Sequence, residues 1–148
     1  MKLRSIGAFA AAVLVGSAVV IGSNQVRAGD GVAASMTMKV LDDHLADFGK
    51  GDLDAIVANY TSDAVIMVPG AVFKGHDKIR GMFTGLIKEF GAKDVKFKMV
   101  TKEAHGPMAI IIWEAETGKA KYDMGTDTFI MRDGKIALQT VVVQAKKK

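Results

Sequence analysis

Residues 125–136 read Gly-Thr-Asp-Thr-Phe-Ile-Met-Arg-Asp-Gly-Lys-Ile, and this stretch predicts a β-hairpin. Asp133-Gly134 is a strong signal for a tight turn between antiparallel strands. On the strand before the turn, Asp127, Phe129 and Met131 alternate with their neighbours and therefore share one face. A carboxyl group on this otherwise apolar face is the first candidate for a functional group.

The two strands of the hairpin extend beyond the quoted stretch, and four further strands are predicted upstream. In chain order the six predicted strands are residues 64–69, 71–74, 95–103, 108–116, 121–131 and 135–144. Pro69-Gly70 separates the first two strands, since proline and glycine mark turns. The run 108–116 is almost entirely apolar, which is typical of a strand that is covered on both faces.

Three helices are predicted, each from apolar residues at helical spacing. The apolar faces of the first two helices are formed by Val40, Leu41, His44, Leu45 and Phe48, and by Leu53, Ile56, Val57 and Tyr60. Tyr60 ends the second helix in this interpretation, and Asp52 is placed to cap its start. The clearest amphipathic pattern runs from Ile79 to Phe90, where Gly91 ends the third helix.

Helices that precede most of the strands indicate an α+β fold rather than a doubly wound sheet. We therefore predict a cone-shaped domain in which three N-terminal helices pack on a strongly bent antiparallel sheet. The interior of such a cone is apolar, and concave apolar sites usually hold small molecules.

Residues 1–28 have the three-part layout of a secretory signal peptide. A short basic start is followed by an apolar run over residues 6–21 and then by Val26-Arg27-Ala28, with small residues where a signal peptidase reads. We expect cleavage after Ala28, a periplasmic or secreted location, and no membrane association after cleavage. An uncleaved N-terminal anchor is the alternative. Beyond the signal, we predict a flexible leader over 29–34, one pocket domain over 35–145 and a solvated basic tail over 146–148.

The charge of the chain gives no support to nucleic-acid binding. The formal net charge is +4, but residues 1–28 hold three basic and no acidic residues, which leaves 17 basic and 16 acidic residues in the rest. A nucleic-acid-binding protein needs a basic patch or stripe on its folded body, and the sequence contains none. We therefore expect no nucleic-acid partner.

The chain contains no cysteine, which excludes disulfides, thiolate metal sites and cysteine nucleophiles. His44, His76 and His105 are scattered without the spacing of metal ligands, so we predict no metal site. His76 and His105 are expected at the surface. The sequence also lacks a phosphate loop and a dinucleotide fingerprint, and no cofactor is predicted.

The order of these elements resembles the SnoaL-like and nuclear-transport-factor-2-like superfamily, which has the ketosteroid-isomerase-like fold. The resemblance is carried by residues 51–58 with Tyr60, Asp63-Ala64 and Pro69, by Gly75, Ile79-Arg80 and Phe83, and by residues 125–129, 132–136 and Gln139-Thr140. Together these pieces cover nearly all of residues 36–144. Because proteins of this fold often dimerise through the sheet, the resemblance also implies a homodimer.

The ketosteroid isomerases of this superfamily use a tyrosine and a protonated aspartic acid as hydrogen-bond donors, and a second aspartate moves the proton. By resemblance, the tyrosine position falls on His44 and the protonated acid on Asp127. The position of the proton-moving aspartate falls on Val68, next to Pro69. Valine cannot take a proton, so the resemblance implies two polar groups without the base of the isomerase.

His44 and Asp127 are the candidate catalytic residues, and each also has a structural interpretation. Desolvation on an apolar strand face raises the pKa of a carboxyl group, so Asp127 is either a neutral hydrogen-bond donor or an ionised structural acid. His44 is either a satisfied core residue or the partner of Asp127. A direct His44–Asp127 pair would itself be a base, with the carboxylate orienting the imidazole.

Further candidates line the predicted pocket, and each is also plausible as core. The predicted ligand-binding residues are Tyr60, Met67, Val68, Phe83, Trp113, Phe129 and Gln139. Buried tryptophan and tyrosine need a partner for their N–H or O–H, which a pocket offers. Gln139 shares a strand face with apolar neighbours, and the flexible side chain of Met67 suits irregular apolar shapes.

Three functions remain open on this basis. The first is an exported domain that binds an apolar small molecule with one carbonyl or phenol-like oxygen, held by His44 and Asp127. The second is a cofactor-independent isomerase, lyase or hydratase that uses the same pair for proton transfer. The third is a dimerising interaction module whose pocket is filled with side chains.

Overall fold

The computed structural model describes residues 28–148. In chain order the elements are α1 (Ala28–Lys50), α2 (Leu53–Ala58), β1 (Tyr60–Val68), β2 (Ala71–Lys74), α3 (Gly75–Phe90), β3 (Lys96–His105), β4 (Met108–Glu116), β5 (Ala120–Arg132) and β6 (Lys135–Lys147). The predicted signal peptide over residues 1–28 lies outside the described residues except for Ala28. Within the described part, no helix is both long and apolar enough to cross a membrane.

The strands form one six-stranded sheet in the order β2-β1-β6-β5-β4-β3. Neighbouring strands are antiparallel except for β1 and β6, which run parallel because α3 and the β3–β5 meander lie between them in the chain. Helices packed on a six-stranded curved sheet confirm the predicted α+β class.

The curvature of the sheet has a local cause in its strand pairing. The register shifts at four of the five strand pairs, between Tyr60 and Val65, Met99 and Thr101, Trp113 and Ala115, and at two places along β5. Such bulges bend a strand and increase its twist. The bent sheet therefore has a concave inner face, on which the helices pack.

The helices present the faces that their apolar spacing predicts. Leu41 and His44 of α1, Ile56 of α2, and Ile79 and Phe83 of α3 are all buried. Asp52 caps α2 as expected, since its carboxylate accepts a hydrogen bond of 3.0 Å from the backbone N–H of Ala55. Burial of one face per helix forms a continuous core with the inner face of the sheet.

Two local predictions were wrong, and one strand extends further than expected. Residues 29–34 belong to α1 rather than to a flexible leader. The side chains of the basic tail over 146–148 are exposed as predicted, while the backbone extends β6 to Lys147 and the Lys146 ammonium pairs with Asp123 at 2.8 Å. The strand β4 is covered on only one face, since the helices cover only the inner side, and Met108 and Ile110 are exposed on the other.

Candidate functional site

A cavity of about 520 Å³ lies between α1, α3 and the inner face of the sheet. This volume is within the range of small-molecule sites, roughly 300–1,000 Å³. Its aliphatic lining consists of Leu45, Val68, Pro69, Met82, Leu86, Ile111, Val141 and Val143. The polar side chains at its wall are those of His44, Asp127 and Gln139, together with the aromatic Trp113 and Tyr122.

Aromatic side chains form much of the cavity wall. Six of the seven phenylalanines in the chain line it, namely Phe48, Phe73, Phe83, Phe90, Phe97 and Phe129. One continuous group of rings, which we call the aromatic wall, consists of Phe90, Phe97, Trp113 and Tyr122. Trp113 stacks on Phe97 with a centroid distance of 5.8 Å and meets Phe90 edge-on at 5.8 Å. These are favourable geometries for aromatic pairs.

The carboxyl group of Asp127 accepts hydrogen bonds from two side chains of neighbouring strands. Trp113 Nε1 donates to Oδ2 at 2.7 Å, and Gln139 Nε2 donates to Oδ1 at 2.7 Å. Asp127 is only 6% exposed. Two short donors directed at one carboxyl group stabilise its ionised form.

The hydrogen bonds continue from Gln139 away from Asp127. The hydroxyl of Tyr60 donates to Gln139 Oε1, and His44 Nε2 lies 3.5 Å from the same hydroxyl oxygen. Trp113, Asp127, Gln139, Tyr60 and His44 thus form a single chain of contacts, which we call the polar network. Its members come from α1, β1, β4, β5 and β6, so the fold brings together residues that are distant in sequence.

The direction of these bonds determines the tautomer of His44. The single hydroxyl proton of Tyr60 is directed to Gln139, so the Tyr60 oxygen offers only lone pairs to His44. His44 Nε2 therefore carries the ring hydrogen, and Nδ1 is the bare acceptor nitrogen. Nδ1 is buried and has no hydrogen-bond partner among residues 28–148.

Burial shifts the pKa values of all three titratable groups in the network. Desolvation lowers the pKa of His44 from 6.5 to about 4, so the imidazole is neutral at pH 7. Desolvation raises the pKa of Asp127, while the bonds from Trp113 and Gln139 act in the opposite direction. The pKa of Tyr60 lies well above 10 because of desolvation and the nearby Asp127 charge.

A glycine fixes the position of Trp113. Gly125 is the cross-strand neighbour of Trp113, and a Cβ atom added to Gly125 would lie 2.2 Å from Trp113 Cε2. The indole therefore lies directly on the backbone of β5, two residues from Asp127. Because no other residue leaves this space, Gly125 is what allows the indole N–H to reach the Asp127 carboxylate.

Most of the predicted site residues meet at the cavity. His44, Val68, Phe83, Trp113, Asp127, Phe129 and Gln139 all line it. Met67 does not, because it lies on the outer face of β1 and is 41% exposed. Tyr60 is fully buried behind the cavity wall and contacts the lining through Gln139 and His44. It also begins β1 rather than ending a helix, which corrects the prediction for α2.

The direct pair of His44 with Asp127, one of the alternatives left open by the sequence, is not formed among the described residues. The two side chains are joined through Tyr60 and Gln139, and the charge that acts on the His44 pKa is that of Asp47. Of the other two histidines, His105 is exposed, whereas His76 is half-buried with Nε2 3.0 Å from the backbone carbonyl of Tyr60. Across residues 28–148, no group of three or more His, Asp or Glu side chains is arranged to hold a metal ion.

Several lining residues were missed by sequence reasoning. Phe48 and Phe90 lay on predicted helix faces, but their spacing indicates only burial and not an adjacent cavity. Phe97 and Tyr122 come from strand positions whose direction depends on bulges.

Comparison with known proteins identifies the family. The family model of the SnoaL-like domain matches residues 41–139, which is two thirds of the chain. The chain belongs to the SnoaL-like domain family. A comparison with the curated proteins finds no match to this sequence.

Solved structures share this SnoaL-like fold at low sequence identity. A candidate ketosteroid isomerase from Kribbella flavida has a TM-score of 0.65 at 13% identity, over 78% of this chain and 82% of its own. An LEH-like epoxide hydrolase from M. tuberculosis has a TM-score of 0.59 at 14% identity, over 75% and 84%. The epoxide hydrolase/cyclase-like enzyme SalBIII of pyran ring formation in salinomycin has a TM-score of 0.64 at 21% identity, over 74% and 92%. The fold family therefore includes isomerases, cyclases and epoxide hydrolases.

Proposed function

We propose that this protein binds an apolar, ring-bearing small molecule in the aromatic cavity and holds one polar group of that molecule at the Asp127 end. The observation that carries this proposal is a buried carboxylate at the wall of a cavity of about 520 Å³ that is otherwise almost entirely apolar. An aromatic ligand would stack on the aromatic wall, and its polar group would meet the polar network.

The energetics of Asp127 support a ligand-binding role over a purely structural one. An ionised carboxylate in an apolar site costs free energy, which its two hydrogen bonds only partly offset, as its raised pKa indicates. An apolar residue at this position would avoid that cost if the strand needed only a core side chain. A polar group that a ligand supplies would compensate for the remaining desolvation of Asp127.

Adjacent residues of β1 provide a matched test of the binding proposal. Val68 lines the cavity, whereas Met67 faces outward. Calorimetric titration of the purified protein with 2-naphthol should show binding to wild type and to Met67→Phe. Val68→Phe fills part of the cavity and should weaken binding by about tenfold or more, since overpacking costs about 1–3 kcal/mol. If 2-naphthol binds none of the three proteins, or all three alike, the proposal fails.

A second candidate function is proton transfer without a cofactor, with Asp127 as the base. It is favoured by the same desolvated carboxylate, because a raised pKa increases the basicity of a carboxylate. Val68 cannot supply the base of the ketosteroid isomerases, and the neutral His44 is not in contact with Asp127. In this proposal Asp127 acts alone, as an isomerase-, lyase- or hydratase-type base.

The base can be tested with 5-nitrobenzisoxazole, an activated carbon acid. A carboxylate that removes its C–H proton breaks the ring N–O bond and releases the coloured 2-cyano-4-nitrophenolate. We expect wild type to accelerate this reaction with a rate that rises with pH through the Asp127 pKa, and Asp127→Asn to lose the acceleration. Equal rates for wild type and Asp127→Asn would leave only the binding function.

We also propose a homodimer that forms through the outer face of the sheet. Met67, Met108, Ile110, Ile130 and Val142 are exposed on this face, which no helix of the described chain covers. Exposed apolar clusters of this kind are typical of interfaces. Sedimentation analysis should find a dimer that Ile110→Lys weakens and the α1 control Met36→Lys does not. A monomer at all concentrations would contradict the proposal.

Export is proposed from residues 1–28 alone. Their basic start, apolar run and small residues before Gly29 are the features that a signal peptidase recognises. Expression of the full chain in a bacterium, followed by mass analysis of the periplasmic fraction, should find a mature form that begins at Gly29. An intact N-terminus in the membrane fraction would support the anchor instead.

A further inference from the structure

We infer that the ligand of this cavity donates a hydrogen bond to Asp127, and that it is a neutral ring-bearing hydroxyl compound of the phenol type. This inference rests on the proposed binding function and specifies its ligand. It excludes two chemistries that the isomerase resemblance suggests, namely a ligand held only through a carbonyl oxygen and a ligand bound as an oxyanion.

Most donor hydrogens of the polar network are used within it. The one indole N–H of Trp113 is directed to Asp127 Oδ2, and the hydroxyl hydrogen of Tyr60 to Gln139. The ring hydrogen of His44 is on Nε2, toward the Tyr60 oxygen. Gln139 directs one of its two amide hydrogens to Asp127 Oδ1. Only the second amide hydrogen of Gln139 remains for a ligand.

Acceptor positions, in contrast, remain free. An ionised carboxylate has about four lone-pair sites, and the protein uses two of those on Asp127. His44 Nδ1 is a further acceptor, without a partner in the described part of the chain, on a side chain that is 4% exposed and lines the cavity. A hydroxyl group fits this balance, since it donates to the carboxylate and can accept from the remaining Gln139 hydrogen. A carbonyl group can only accept, so it would leave the two remaining lone-pair sites of the carboxylate without a donor.

The charge of the cavity excludes an anionic ligand. Of the residues that the structure describes, Asp127 is the one charged residue at the cavity wall, and no lysine or arginine among them lines it. A phenolate or carboxylate ligand would face Asp127 in an apolar surrounding with no cation to compensate either charge. The ketosteroid-isomerase arrangement, in which donors face a developing oxyanion, is therefore inverted in this chain.

The size and lining of the cavity indicate the apolar ring system of the ligand. A volume of about 520 Å³ accommodates a molecule of two or more fused rings, and six phenylalanines with Trp113 and Tyr122 provide ring faces and edges for stacking. A ring system with one hydroxyl would use both features of the cavity. The ligand class is thus a neutral fused-ring or polyphenyl compound with a phenolic or benzylic hydroxyl.

The test compares four naphthalene probes that differ only at one position, titrated at pH 7 into the purified wild-type protein. The probes are 2-naphthol, 2-methoxynaphthalene, 2-acetylnaphthalene and 2-(aminomethyl)naphthalene. We expect 2-naphthol to bind about tenfold or more tightly than the ether and the ketone, since a hydrogen bond to a charged group is lost in both. Equal or tighter binding of the ether or the ketone would overturn the inference, and tighter binding of the amine would overturn the neutral ligand class.

The variant Asp127→Asn provides an independent test, in which the affinities of the same four probes are measured. Its amide supplies a donor in place of the carboxylate, so the preference for 2-naphthol over 2-acetylnaphthalene should shrink or reverse. An unchanged preference would contradict the role of Asp127 as the acceptor. If none of the four probes binds to wild type, the binding function itself fails, whereas binding without preference overturns only the ligand class.

A titration with pH tests the exclusion of anions on wild type alone. 4-Nitrophenol ionises near neutral pH, so its neutral and anionic forms can be compared without a change of probe. The affinity should fall as the phenol loses its proton, in proportion to the neutral fraction. An affinity that stays constant or rises as the phenolate forms would overturn the proposal.

Discussion

The polar network and the aromatic wall share Trp113, but their interactions differ in kind. In the polar network, each donor has one acceptor, from Tyr60 through Gln139 to Asp127, and from Trp113 to the same carboxylate. In the aromatic wall, the rings of Phe90, Phe97, Trp113 and Tyr122 meet at angles from 28° to 86°, without any directional bond between them.

The two regions are therefore expected to select different properties of a ligand. Directional bonds leave few alternative arrangements, because an unpaired buried group costs about 1–3 kcal/mol. Ring contacts tolerate many angles at similar energy, and centroid distances of 4.5–7 Å are all favourable. We therefore expect the network to decide which polar group is accepted and the wall to decide how large an apolar body fits.

The largest expected effect comes from the residue that supports both regions. Gly125→Ala would place a Cβ atom at 2.2 Å from Trp113 Cε2, so the indole must move and its bond to Asp127 must break. We expect a loss of about 3 kcal/mol in the free energy of unfolding, from overpacking together with the loss of one of the two hydrogen bonds of the buried carboxylate. Denaturant unfolding, followed by the fluorescence of the single Trp113, measures both effects.

A glycine without such a neighbour is the control for this experiment. Gly85 is exposed in α3, and a Cβ atom added there meets no atom within 4 Å. Gly85→Ala should stabilise the protein by about 0.5–1 kcal/mol, because glycine is a poor helix former. A Gly125→Ala protein as stable as wild type would mean that the indole has another equally good position.

The second prediction is that stability depends on pH through His44 of the polar network. Its folded pKa of about 4 lies below the ordinary 6.5, so the unfolded chain binds the proton first as pH falls. The contribution of neutral His44 to the free energy of unfolding should therefore be fully present above pH 6.5 and should decrease as the pH falls toward 4. Between pH 7 and 4.5 the loss is about 2 kcal/mol, since each pH unit contributes up to about 1.4 kcal/mol.

The variant His44→Phe separates the pH dependence due to His44 from that due to Asp127. The raised pKa of Asp127 makes the folded protein more stable as the pH falls, over part of the same pH range. Phenylalanine can retain the edge-on contacts that His44 makes with Tyr60, Phe83 and Phe129. Wild type should lose about 2 kcal/mol relative to His44→Phe on acidification. Parallel stability curves for the two proteins would show that His44 keeps its ordinary pKa.

The smallest effect tests the link between the two ends of the polar network. Tyr60→Phe removes the hydroxyl that donates to Gln139 Oε1 and leaves both Oε1 and His44 Nε2 without that partner. We expect a loss of about 1 kcal/mol in stability and little change in the bond from Gln139 to Asp127. Tyr122→Phe, in the aromatic wall, is the matched control because its hydroxyl bonds to Glu89 outside the network.

Sequence reasoning predicted the fold from signals that are local. Residues 71–74 and 108–116 form strands with the predicted bounds, and α3 ends before Gly91 as expected. Asp127 and Gln139 share the inner face because the period of two fixes side-chain direction within a strand. These features depend on neighbours along the chain, so one sequence is enough to find them.

The parts that were missed depend on contacts across the sheet. Tyr60 continues the helical spacing of Leu53 and Ile56, so periodicity alone could not place it at the start of β1. Simple alternation along β5 would direct Asp123 rather than Tyr122 to the inner face, but a register shift between Tyr122 and Met124 turns Tyr122 to the cavity. Bulges of this kind are set by tertiary packing, which spacing does not encode.

The hydrogen-bonding state of Asp127 can be read from its carboxyl carbon resonance in protein labelled with ¹³C at aspartate, assigned by comparison with Asp127→Asn. We predict a pKa above the ordinary aspartate value, and a shift of this resonance on addition of 2-naphthol that 2-methoxynaphthalene does not produce. An ordinary pKa together with a resonance that neither probe moves would contradict the central claim, that Asp127 is the hydrogen-bond acceptor of a ligand-binding cavity.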